Sequence, residues 1–151
     1  MQDAHVWEEY EKFKKDYERS LLNNKTFPEI VTSIMTDAGY TVENLSEVSG
    51  IDTRTIYRLR SGKIRNNKGE EKEYLPHLKT IIAFSIACDL DMLMTITLLE
   101  SLGLSFKRTS EVHYAYCYLI VNCRGTSIQE CNEVLKKLKV HSNYLLADNG
   151  K

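Results

Sequence analysis

Between residues 54 and 68 six side chains are basic (Arg54, Arg58, Arg60, Lys63, Arg65 and Lys68) and none is acidic, the most one-sided stretch of the 151-residue chain. A guanidinium group can donate two parallel hydrogen bonds to O6 and N7 of guanine, and both guanidinium and ammonium groups pair with phosphate oxygens. The chemistry this run offers is recognition of a polyanion. For isolated arginines a solvated basic face is the ordinary alternative, so the element that carries them decides what they do.

Other reactive side chains form no comparable pattern. Cys117, Cys123 and Cys131 near His113 are separated by five and seven residues and lack a closely spaced chelating pair. Cys123 and Cys131 also fall on apolar stripes, which reads as core thiols, with Cys88 a further free thiol. His5, His77 and His141 are scattered, and local spacing suggests no Ser–His–acid or paired-carboxylate arrangement. No metal, no cofactor and no catalysis are expected.

The chain as a whole suits one domain, or a small domain with helical additions. Apolar residues make up 42% and charged residues 27%, with a net charge of −1. A balance so near neutral is poor for a nucleic-acid binder in sum, but attraction to phosphate depends on where the charge sits. The longest apolar runs, residues 81–88 and 93–99, are too short to span a bilayer, and residues 1–20 lack the apolar core of a secretion signal. A cytoplasmic location without membrane attachment is the expectation.

Periodicity is helical nearly everywhere, so the expected class is all-α. Val6, Tyr10, Phe13, Tyr17 and Leu21 form one stripe of an amphipathic helix within residues 1–24, expected to dock on the domain or on a partner helix. Thr26 and Glu29 have capping-box spacing, and Pro28 lies in the first turn of a helix that Gly39 ends. Thr41 and Asp52 cap two short helices with Gly50 in the turn between them. Residues 64–75 read as an exposed loop without a core face. Pro76 then opens a helix with Leu78, Ile81, Ile82, Ser85 and Ile86 inside, and Asp91 caps one burying Leu93, Ile96, Leu99 and Leu102. Two more helices follow in residues 104–141, one burying Val112, Ala115, Tyr116, Leu119, Ile120 and Cys123. The other starts at the Ser127–Glu130 capping box and carries Ile128, Cys131, Val134, Leu135 and Leu138. Residues 142–151 are expected to be a loose tail, with Tyr144, Leu145 and Leu146 able to dock.

The segment 41–63, TVENLSEVSGIDTRTIYRLRSGK, resembles the helix-turn-helix of the lambda-repressor-like (Xre/Cro) family. Leu45, Ile51, Ile56 and Leu59 stand where apolar contacts lock two short helices, Ser46 is small where they approach, and Gly50 supplies the turn. The resemblance extends over residues 26–103 and implies a DNA-binding domain with this motif and a 64–75 loop. It further implies a transcriptional regulator that inserts its second helix into the major groove of double-stranded DNA as a homodimer.

Carried over by motif position, the base contacts are Thr53, Arg54, Tyr57 and Arg58, although Tyr57 is equally suited to packing on a neighbouring helix. The phosphate contacts are Thr41, through the amides that follow it, Ser61, Lys63, Arg65 and Lys68. Two features depart from the family pattern. Val42 stands where Gln is frequent, removing a backbone contact, and the 64–75 loop is longer than usual. The alternative function is a protein-interaction module, regulatory or antitoxin-like, using the same helices, with a protein partner bound through the N-terminal or C-terminal helices.

Overall fold

The computed structural model describes residues 3–20 and 25–146, with side chains described for residues 4–15 and 25–146. Among them are eight α-helices: α1 (Asp3–Ser20), α2 (Phe27–Ala38), α3 (Val42–Ser49), α4 (Thr53–Ser61), α5 (Leu78–Ala87), α6 (Met92–Ser101), α7 (Glu111–Asn122) and α8 (Ile128–Lys137). Between α4 and α5 stand two short strands, β1 (Lys63–Arg65) and β2 (Glu71–Glu73), and a 3-10 turn (Ser142–Tyr144) follows α8. The fold is mainly α-helical. No described helix is long and apolar enough to cross a membrane.

Helix starts follow local chemistry. The Glu29 amide donates to Thr26 Oγ1 at 3.4 Å while the Thr26 amide donates to Glu29 Oε1 at 2.8 Å. Ser127 and Glu130 repeat this reciprocal pair at 3.1 and 3.0 Å. Both carboxyls are held below their usual range, first by the bond from the capping residue's own amide. Asp52 and Asp91 cap α4 and α6 by accepting the Thr55 and Met94 amides at 2.8 and 2.9 Å.

The core is continuous from α2 to α8. Its centre is α5, in which Ile81 to Ile86 are all buried, and α5 packs on α3, α6, α7 and α8. In α2, Phe27, Ile30, Val31, Ile34 and Met35 bury against the core, and the helix contacts α4 and α6. Burying each such aliphatic or aromatic side chain contributes about 1.5–3 kcal/mol.

Several expectations are corrected. The stretch 64–75 is not an irregular loop: β1 and β2 pair antiparallel with Lys63 opposite Glu73 and Arg65 opposite Glu71, a small hairpin within a mainly helical fold. The hairpin bend is built by Asn66, whose side-chain oxygen accepts the Lys68 and Glu70 amides at 2.9 Å each. Its base is closed by the Tyr74 amide, which donates to the Gly62 carbonyl at 2.8 Å. In α6, Leu93 and Ile96 face outward, while Thr95 and Thr97 are buried beside Leu98 and Leu99. The two threonine hydroxyls donate to the Asp91 and Leu93 carbonyls at 2.9 Å, so their polar atoms enter the core already satisfied.

The N-terminal stripe does not join the core of the domain: Val6, Trp7, Tyr10 and Phe13 are exposed along α1. The Tyr17 side chain and Leu21, its last two positions, lie outside the described residues. The tail, by contrast, is held through residue 146. Buried Asn132 donates to the Leu146 carbonyl at 2.9 Å and accepts the Leu146 amide at 2.7 Å, and Leu146 enters the core. Residues 147–151 of the expected tail lie outside the described residues.

Candidate nucleic-acid interface

In α4, Ile56 and Leu59 are completely buried, with Ile51 and Leu45 beside them in the core. At 3.6 residues per turn this anchoring turns Arg54, Tyr57, Arg58 and Ser61 to the opposite side. Thr53, Arg54, Tyr57 and Ser61 are exposed, and Arg58 is half-buried. Tyr57 is 54% exposed, which decides between its two readings: it does not pack on a neighbouring helix. Gly50, at φ +76°, ends α3 and lets the chain reverse within three residues. Ser46 and Ser49 are buried at the α3–α4 junction, and Ser49 Oγ accepts the Ile51 amide at 3.1 Å.

The electrostatics of this face are not uniform. The Thr55 amide bond holds the Asp52 carboxyl below its usual range, and the Arg54 and Arg58 charges act in the same direction. Asp52 is therefore an anion at neutral pH, and it occupies the Thr55 amide and sets a negative charge at the start of α4, where a phosphate would otherwise be attracted. Arg58 faces both Asp52 and the half-buried Tyr74, whose phenol burial pushes up in pKa while Arg58 pulls it down. Among the described residues neither Arg54 nor Arg60 makes an ion pair.

The expected phosphate-contact residues fall into two groups. Thr41 and Ser61 spend their hydroxyls locally: Thr41 Oγ1 accepts the Asn44 amide and Ser61 Oγ accepts the Lys63 amide, both at 3.1 Å. Lys63 and Arg65 project from one face of β1 and meet the same carboxylate, Glu71, at 3.6 and 3.5 Å. Lys68 lies exposed in the hairpin bend. Glu71 is not among the residues the sequence singles out, because its place opposite β1 is set by strand register. Exposed pairs of this kind contribute about 0–1 kcal/mol, so phosphate can displace Glu71 at little cost.

Val42, at the first position of α3, is buried in the core. Its side chain is a packing element, and no polar side chain reaches out from that position. On α3 the exposed side chains include Glu43 and Glu47, which adds negative charge beside the basic face.

The cysteines have no evident part in this site. Cys123 and Cys131 are buried and Cys88 and Cys117 half-buried, all as free thiols. Burial pushes the Cys88 thiol up to about 12 and also raises Cys117 and Cys131, which keeps these three protonated and poorly nucleophilic. Among the described residues no three His, Cys, Asp or Glu side chains gather in a set able to hold a metal ion.

No family model, curated protein or solved structure matches the chain.

Proposed function

We propose that this protein is a sequence-specific, double-stranded DNA-binding transcriptional regulator of the lambda-repressor-like type, with α3 and α4 as its helix-turn-helix. The observation that carries this reading is the division of α4 into two faces. Ile56 and Leu59 lock one face into the core, and the other offers Arg54, Tyr57 and Arg58 to solvent. A helix anchored in this way can enter a major groove without distorting the domain behind it. Arg54 and Arg58 read base edges, Thr53 and Tyr57 flank them, and Lys63, Arg65 and Lys68 follow the phosphates. The α3 amides after Thr41 supply a further backbone contact.

The regulator acts as a homodimer, which places two α4 helices on half-sites about one helical turn apart. Exposed Tyr114, Tyr118 and Val121 recur at four- and three-residue spacing on α7, and α1 carries a second apolar stripe, so contact surface is ample.

Selection of bound duplexes from a random library, compared at two salt concentrations, tests the assignment. Enrichment of a motif by the wild type that an Arg54→Ala/Arg58→Ala variant no longer selects supports it; equal binding by both proteins removes α4 from the groove.

A protein-interaction role is favoured by one specific feature, the neutralisation of Lys63 and Arg65 by Glu71. On that reading the basic face is internally compensated, and the selection returns no salt-sensitive binding.

A further inference from the structure

Away from α4, the first turns of α5 and α7 and the 3-10 turn enclose a cleft of about 570 Å³. Its size lies within the range typical of small-molecule sites, about 300–1,000 Å³. Two lysines, Lys79 and Lys107, and two histidines, His77 and His113, line it, and no carboxylate does. In a chain with 21 acidic residues against 20 lysines and arginines, that one-sided lining contrasts with the charge balance of the whole.

The basic groups are arranged by the fold. One of the three N–H donors of the Lys79 ammonium goes to the Asn143 carbonyl at 3.0 Å, which holds the charge at the rim with donors to spare. His113 Nδ1 accepts the Lys107 amide at 2.8 Å, so the imidazole carries its proton on Nε2 and can donate from there. His77 stands at the start of α5 and makes no side-chain cap bond, so the positive end of that ten-residue helix adds to the field in the cleft. Leu78, Val112 and Tyr144 supply an apolar wall.

We propose that this cleft binds a small organic phosphate. The phosphate group is held by Lys79 and Lys107 with donors from His77 and His113, and its apolar body rests on Leu78, Val112 and Tyr144. Two ammonium groups and two imidazoles on one cleft suit a group with three terminal oxygens, and the wall suits a flat or apolar substituent. The site lies on α5 and α7, and its existence does not depend on the reading of α4 as a DNA-binding helix.

The test is titration of the full chain with phenyl phosphate, inorganic phosphate and neutral benzyl alcohol, followed by imidazole and amide NMR shifts. Phenyl phosphate is expected to give saturable shifts at His77 and His113, inorganic phosphate the same shifts at weaker affinity, and benzyl alcohol none there. Lys107→Met should weaken phenyl phosphate binding by about tenfold or more, the loss of one charge-assisted hydrogen bond. Lys107 is exposed and its side chain supports no other element, so this variant keeps its fold; Lys79→Met serves as the second variant. Undiminished affinity in both variants, shifts confined to α4 and the hairpin, or equal response to benzyl alcohol would overturn the proposal. Inorganic phosphate binding as tightly as phenyl phosphate would also overturn it, because the apolar wall would then contribute nothing.

Discussion

Gly62 and Pro28 meet so closely that a Cβ on Gly62 would lie 2.7 Å from Pro28 Cγ. The glycine ends α4 at φ +73°, and the proline sits in the first turn of α2, so one contact ties the end of the candidate recognition helix to the start of its supporting helix. Gly62→Ala carries two penalties, the left-handed backbone and the clash with a ring that can only repucker. Together they should cost about 2–3 kcal/mol of stability. In a Pro28→Ala background the clash disappears and the penalty should fall to about 1–2 kcal/mol. Urea unfolding of the four proteins gives the coupling; equal penalties in both backgrounds would show that the ring yields freely.

Glu71 holds both Lys63 and Arg65 on the hairpin. If these cations serve phosphate, Glu71→Gln should strengthen binding to all duplexes while changing stability by less than about 1 kcal/mol. The salt dependence should be retained. Conversely, Lys63→Ala should weaken binding to all sequences and reduce the salt slope by about one unit. Unaltered affinity in both variants would remove the hairpin from the DNA contact.

Asp52 links stability to pH. Its folded carboxyl is held below its usual range, chiefly by the Thr55 amide. The stabilisation is therefore present above the unfolded value, near 3.8, and is lost as pH falls through the lower folded value. Asp52→Asn keeps a capping oxygen but cannot titrate, so its thermal midpoint should fall less steeply on acidification than that of the wild type. It also removes a negative charge beside Arg54 and Arg58. Duplex affinity at neutral pH should therefore rise, as read by fluorescence anisotropy.

Asn132 holds the tail through two bonds to Leu146. Asn132→Ala leaves a buried amide and carbonyl without these partners and should cost about 1–3 kcal/mol. Hydrogen exchange at the Leu146 amide should accelerate more than exchange within α5. Retained protection at Leu146 would mean that its packing alone seats the tail.

Much of this protein is legible in its sequence because the signals act within one helical turn. Thr26 with Glu29, Ser127 with Glu130, and Asp52 and Asp91 each satisfy an amide three residues away, so they mark helix starts whatever lies beyond. Leu45, Ile51, Ile56 and Leu59 stand where the resemblance implies the contacts of a locked pair of helices, and all four are buried. Helical spacing leaves Arg54, Tyr57 and Arg58 on the opposite side of α4. Only the tertiary structure decided which charges meet and which apolar faces are covered. Arg65 is paired because strand register sets it opposite Glu71, a relationship no helical or turn signal encodes. The face α6 buries is set by threonines that satisfy themselves on their own helix, which an apolar stripe cannot foretell. The basic cleft likewise draws His77 and Lys79 to Lys107 and His113 across about thirty residues of chain. Such encounters depend on packing α5 against α7, since local preference ends where the chain turns back on itself.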